Sequence, residues 1–382
     1  MKPTLLIAAL AGLTLLAGCA GNDVEPQYPP KELGDFDARV SLERAWREGA
    51  GDGLGRAGYP IAPARDGDAV FAADVNGELF AFDADDGETR WEVELEVPVS
   101  SALTAVAGEV YLGTRNGEVL AIDQDDGSVR WRARVPSEVL AAPQPNQQLL
   151  VVQGVDGSVT ALDRTSGDQR WSYSANLPSL TLRGTGTPTV IDPVTFAGFA
   201  NGRLVTLDNR SGQPLWEQRI AVAQGRSDIE RLVDLAGQPV LTPDGRLFVT
   251  SYNGRLVALE ATRGEPLWAR ELSSFHTPIV VGDLLFVVEE SGRILALDVD
   301  SGDEVWRNAA LEGRQPTSPA FADGHLVFGD FEGYLHLIDA RSGELVGRER
   351  IDGSGISVRP VTDGNRIHVL ANDGSLETLD LR

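Results

Sequence analysis

The sequence predicts an all-β, eight-bladed β-propeller with four-stranded antiparallel blades. Three observations predict it: a unit of about 40 residues that recurs eight times, a tryptophan returning to one slot of that unit, and chain ends that look like two halves of one unit. The repeat reads Asn76-Gly77-Glu-Leu-Phe-Ala-Phe-Asp83, then Gly87 and Trp91; Asn116-Gly117-Glu-Val-Leu-Ala-Ile-Asp123, then Gly127 and Trp131; Asp156-Gly157-Ser-Val-Thr-Ala-Leu-Asp163, then Gly167 and Trp171; Asn201-Gly202-Arg-Leu-Val-Thr-Leu-Asp208, then Gly212 and Trp216. Four further units are centred on Gly254, Gly292, Gly333 and Gly374, and successive first glycines lie 40, 40, 45, 52, 38, 41 and 41 residues apart. Self-similarity at this period, with four short strands per unit, is the mark of propeller blades.

Each position in the unit has a mechanical reading. The Asn-Gly or Asp-Gly pair is expected to make a two-residue type I′ hairpin. The apolar alternation after it is a strand. The acid that closes this strand (Asp83, Asp123, Asp163, Asp208, Glu260, Asp298, Asp339 or Asp380) can accept from backbone N–H groups of the next turn. A left-handed Gly then completes a second hairpin. Trp46, Trp91, Trp131, Trp171, Trp216, Trp268 and Trp306 are all the tryptophans of the chain and occupy one slot on the following strand. They are read as structural wedges between blades, each burying roughly 150–250 Å². The seventh unit has Gly347 in that slot.

The eighth unit stops at Arg382 after its third strand, while Trp46 stands in Leu42–Glu48 with no upstream strands of its own. Residues 40–48 are therefore expected to supply the fourth strand of the last blade, closing the ring and removing an exposed edge. The division is 1–18, 19–35 and 36–382: signal peptide, tether and propeller.

Lys2 and the apolar run Thr4–Ala17 read as a secretory signal, too short to span a bilayer. The run ends in Leu16-Ala17-Gly18-Cys19, which resembles the lipobox of bacterial lipoproteins. That resemblance implies lipidation at Cys19, the only cysteine, and Ala20 after it implies the outer membrane. More than one acyl chain is needed for a lasting anchor. Residues 20–35, with Pro26, Pro29 and Pro30, read as the tether. The net charge is −24, so phosphate backbones are repelled and no nucleic-acid partner is expected.

The Ala-x-Asp-x-x-x-Gly-x-x-x-Trp signature resembles the repeat of the pyrroloquinoline-quinone propellers. That family holds quinoprotein dehydrogenases and also a lipoprotein branch of the outer-membrane β-barrel assembly machinery. The dehydrogenase branch implies a Ca²⁺ site beside the quinone, often an adjacent cysteine pair, and long loops over the axis. Here the single cysteine is assigned to lipid, and most Trp-to-Gly distances are 24–27 residues. No catalytic residues, metal or cofactor are therefore expected. The four His (276, 325, 336, 368) show no ligand spacing, and Gly51-x-Gly53-x-Gly55 reads as a flexible connection.

Two insertions favour the lipoprotein branch. Trp171 to Gly202 spans 31 residues and Trp216 to Gly254 spans 38. Both follow the Trp strand in consecutive units, so the two loops are expected to be neighbours. They contain Pro178-Ser-Leu180-Thr-Leu182-Arg183 and Ser227-Asp-Ile229-Glu-Arg231-Leu-Val-Asp234-Leu235, and both resemble the docking segments of that branch. The resemblance implies a periplasm-facing, outer-membrane scaffold whose partner is the barrel-forming BamA subunit, with its POTRA domains, and it implies contacts through Leu180, Leu182, Arg183 and Asp234. A second Asp of the pattern is replaced by Ala236. Nascent outer-membrane proteins are a further possible partner, through strand edges. A quinone-dependent oxidoreductase or another periplasmic ligand-binding propeller is the alternative.

Overall fold

A computed structural model describes residues 27–182 and 186–382. The expected signal peptide, Cys19 and Arg183 lie outside the described residues. The described chain is all strand and turn, arranged as eight four-stranded antiparallel sheets. Seven sheets are built from consecutive strands, spanning 64–94, 104–134, 144–174, 189–219, 240–271, 279–308 and 320–350, here blades one to seven. The eighth combines Val361–Asp363, Arg366–Leu370 and Ser375–Leu381 with the N-terminal strand Leu42–Gly49. That strand pairs from Leu42↔Leu381 to Gly49↔Ser375, so the expected ring closure is present, shifted by two residues at its start. Segments leading into the first strands of seven blades converge on one cavity of about 780 Å³, which marks the axis.

In every blade the second and third strands are almost wholly buried, and in the first six blades the fourth alternates. The fourth strand carries the tryptophan, and its ring lies over the next blade. A Cβ built on Gly87, Gly127, Gly167, Gly212, Gly264, Gly302 or Gly343 would come within 2.5–2.8 Å of the indole from the preceding blade. These glycines also have φ of +70° to +78°, so the position excludes a side chain twice over. Six of the indoles, those of Trp46, Trp91, Trp131, Trp171, Trp268 and Trp306, donate N–H at 2.7–3.0 Å to the carbonyl one residue past the next blade's closing acid. Ring burial at about 25 cal/mol per Å² makes each wedge worth up to several kcal/mol, and the hydrogen bond fixes its direction.

The exception explains itself. Blade eight has no hairpin between its third and fourth strands, because the fourth strand comes from the other end of the chain. No turn glycine is there for a seventh-blade tryptophan to cover. Instead Arg39 and Val40 donate their N–H groups to the Val346 carbonyl, and a Cβ on Gly347 would lie 3.0 Å from the Val40 carbonyl oxygen. Opposite the slot, the third strands present Ala or Thr to each tryptophan but Leu337 to Gly347. Volume lost on one strand is regained on its neighbour.

The closing acids behave as expected in the first seven blades. Asp83 Oδ1 accepts from Asp85 N at 2.9 Å, and the same bond recurs through Asp339 to Arg341 N at 3.1 Å. The turn at the Asn-Gly pair differs from expectation. In the fifth unit Asn253 rather than Gly254 has positive φ; at Asn116-Gly117, Thr114 accepts from Gly117 N at 3.2 Å and donates to the Glu118 carbonyl at 2.9 Å, and only the Gly has positive φ. This is a three-residue loop, a type I turn closed by a left-handed Gly. The type I′ pair occurs one hairpin earlier, at Ala107-Gly108 and Asp323-Gly324, where both residues have positive φ.

Two segments expected to be loose are held. Gly51, Gly53 and Gly55 all have φ near +66° to +68° and pack between the last turn of blade eight and the Asp74–Val75 turn of blade one: Leu54 N donates to the Asn372 carbonyl at 3.0 Å, Ala50 N to the Gly374 carbonyl at 2.8 Å, and Asp52 N to Asp74 Oδ2 at 3.0 Å. A Cβ on Gly53 would lie 2.2 Å from the Asn372 carbonyl. These glycines permit close backbone approach rather than flexibility. The stretch read as tether is likewise docked from residue 28. Lys31 N donates to the Glu312 carbonyl at 3.0 Å, Arg314 Nη1 to the Lys31 carbonyl at 3.0 Å, and the Arg348 guanidinium lies 4.8 Å from the Phe36 ring. Arg314 is itself fixed by Asp330 at 2.8 Å and by Glu332.

Restoring the repeat at the seventh slot should therefore do harm. Gly347→Trp is expected to lower stability by about 1–3 kcal/mol in urea unfolding, because Val40 and Leu337 already fill the space. A higher urea midpoint in this variant would overturn the account of that junction.

Candidate functional site

The two long connections follow the fourth strands of blades three and four, Gln169–Ser174 and Pro214–Arg219. They meet. Leu182 N donates to Asp234 Oδ1 at 2.9 Å across 52 residues of sequence. Leu235 N donates to the Phe199 carbonyl at 3.3 Å, and Tyr252 N to the Asp234 carbonyl at 2.9 Å. Leu232, Val233 and Leu235 are buried beneath the second loop.

Ahead of these buried residues the chain makes a tight turn. Arg226 N donates to Glu230 Oε2 at 2.6 Å and Glu230 N to Ser227 Oγ at 3.2 Å. The turn throws Ile229 outward, 66% exposed, while Leu180 on the first loop is 43% exposed and Val222 is 49% exposed. Leu177, Leu180, Ala223, Arg231 and Val233 line one depression between the loops. Aliphatic side chains exposed together at an irregular, non-strand segment form an apolar patch of the kind that marks a contact surface.

The sequence-predicted residues divide. Leu180 stands at the surface and Leu182 is half-buried, held by its own N–H. Asp234 is 1% exposed, so it acts on the surface through the Leu182 backbone it holds. Ile229 and Val222 were not among the contact candidates. Their signal is an aliphatic residue in a stretch with no strand alternation, at 222 and 229 in the second insertion.

Asp234 is electrostatically exposed to a cost. Burial raises its pKa from 3.8 to about 6, only partly offset by the Leu182 N–H, and no cation among the described residues faces it. No group of three or more His, Cys, Asp or Glu among the described residues is arranged to hold a metal. His336 is buried against Asp330 at 2.9 Å and His368 against Thr378 at 2.6 Å, both inside blades.

A family model described as "Outer membrane protein assembly factor BamB" matches residues 33–127, 77–308 and 290–382. A relative of that name from Pseudomonas aeruginosa is 46% identical over 98% of this chain and 98% of its own length. The chain belongs to the BamB family. A second BamB, from Alkalilimnicola ehrlichii, is 43% identical over 98% of the chain and 96% of its own length, and the Escherichia coli BamB is 34% identical over 98% of each. The crystal structure of BamB from Moraxella catarrhalis superposes with a TM-score of 0.81 at 24% identity, covering 89% of this chain and 99% of that one. A quinohemoprotein alcohol dehydrogenase from Comamonas testosteroni shares the fold alone, with a TM-score of 0.69 at 13% identity over 89% of this chain and 76% of that one.

The buried carboxylate makes a testable pH signature. Its folded pKa lies above the unfolded value, so the folded state holds the extra proton. The stability this gives is complete below about pH 4 and is lost as pH rises through about 6. Asp234→Asn removes the cost of burying the charge and keeps an acceptor for Leu182. Relative to the natural protein, the variant is expected to gain about 1–2 kcal/mol between pH 4 and pH 7. Urea unfolding of both proteins at the two pH values reads this difference; a pH-independent difference would contradict it.

Proposed function

We propose that this chain is a non-enzymatic scaffold of the outer-membrane β-barrel assembly complex, lipid-anchored through Cys19 and facing the periplasm. It docks the barrel-forming BamA subunit through the paired insertions of blades three and four. Membership of the BamB family, whose members are named as outer membrane protein assembly factors, supports the role in assembly. The observation that carries the docking reading is the convergence of the two insertions: Asp234 ties the loops, and Leu180, Val222 and Ile229 present aliphatic surface beside the tie. Leu182 and Arg183 complete the proposed contact.

The chemistry of the surface suits a docking role. A preorganised loop loses little entropy on binding, and exposed aliphatics in a shallow depression supply the apolar anchor that a partner can cover. The acidic propeller is repelled by anionic lipid heads. The anchor therefore does the work of membrane retention and leaves the loops free for protein.

Leu180→Glu combined with Leu182→Glu is expected to reduce co-purification of the barrel-forming subunit from membranes at least tenfold, with an unchanged circular dichroism spectrum. Retention of the partner by the folded double variant would refute this docking surface.

A further inference from the structure

Beneath the two loops lies a separate, partly enclosed cavity of about 260 Å³. Its walls include Leu177, Leu182 and Phe199, and its polar groups include Asp234, Gln153 and Glu138. Two of these polar side chains are buried with one oxygen unsatisfied. Asp234 is 1% exposed; Oδ1 takes the Leu182 N–H and Oδ2 has no hydrogen-bond partner among the described residues. Gln153 is 1% exposed; its amide nitrogen donates to the Gly198 carbonyl at 2.7 Å, and its Oε1 has no partner among the described residues. The carbonyl at Gly198 fixes the amide orientation, because only the NH₂ end can face it. The oxygen is thereby left as an acceptor.

Both orphans are acceptors, so what fills the cavity must donate. An unsatisfied buried acceptor costs about 1–3 kcal/mol, and an unpaired buried carboxylate costs more. The cavity is lined by two carboxylates and by no Lys, Arg or His among the described residues. A neutral donor would satisfy the hydrogen bonds but leave the charge. A planar guanidinium does both, with several N–H groups in a fixed fork and no acceptor to clash with either oxygen. Apolar walls suit the methylene stem of such a side chain.

The geometry points to this cavity as a receptor for a cationic side chain of the docking partner, a guanidinium inserted between the insertions and held by Asp234 Oδ2 and Gln153 Oε1. The inference rests on the docking reading and gives it chemical content: the partner presents an arginine beside the apolar residues that cover Leu180. Binding then removes the cost of the buried carboxylate, and affinity rises as Asp234 ionises.

The test uses the intact protein and N-propylguanidinium as probe, with N-propylurea as its uncharged isostere, by saturation-transfer NMR and calorimetric titration. One saturable site is expected. Its dissociation constant should rise at least tenfold in Asp234→Asn and in Gln153→Met, each checked for fold by circular dichroism. It should fall as pH is raised from 5 to 7.5, and propylurea should not compete. No saturable binding, or binding indifferent to both substitutions, overturns the proposal. So does binding seen only after Arg183→Gln, which would mean that the chain's own arginine fills the cavity. The two readings fail separately: if the Leu180/Leu182 variant loses the partner but the probe does not bind, the receptor falls and the docking surface stands. If the probe binds and that variant keeps the partner, the reverse holds.

Discussion

The molecule depends on an indole laid over a glycine of the next blade. A propeller blade is a small twisted sheet that cannot bury both faces alone. Its neighbours must cover it, and the contact must be the same each time round if the ring is to close. Here the repeated contact has three parts: a ring on the fourth strand, a turn glycine that must be bare to admit it, and a carbonyl that accepts the indole N–H. The glycine serves two ends at once, since the turn needs a left-handed residue and the ring needs the space. A side chain at this position would break both the hairpin and the junction.

The same constraint explains where the repeat fails. The last junction lacks a turn because the chain is closed by its own beginning, so neither the glycine nor the tryptophan has a purpose there. Gly347, Leu337 and Val40 form a different solution, in which backbone carbonyl and aliphatic volume replace the ring. The N-terminal segment ahead of this strand is also docked, by Arg348 at Phe36 and, at the connection from blade six to blade seven, by Arg314 at Lys31. Closure is thus made by a strand and by the segment in front of it. Blades three and four can carry long connections because these lie outside the wedge contacts.

Much of this was legible in the residues. The glycine spacing counted the blades, and Trp46 without a preceding unit located the closing strand. The insertion lengths placed two loops side by side. What was not legible had physical causes. The Asn-Gly pair is compatible with two turn types, and the hydrogen bond of Gly117 to Thr114, which distinguishes them, leaves no trace in composition. The Gly51–Gly55 run looked flexible because glycine serves both freedom and close approach; only Asn372 beneath it decides. Asp234 entered as a contact residue through the family resemblance, which says nothing of its depth. Its burial follows from Leu232, Val233 and Leu235 folding under the loop, a tertiary fact.

The central claim is that ring and glycine act as one unit across each junction. A double-mutant cycle on Trp131→Leu and Gly167→Ala, followed by urea unfolding, measures that coupling directly. In the natural background Gly167→Ala must pay for both positive φ and a clash with the ring; in the Trp131→Leu background only the φ cost remains. The alanine substitution is expected to cost at least about 1 kcal/mol less once the ring is gone. Strictly additive costs would show that the two residues stabilise the ring independently, and would contradict it.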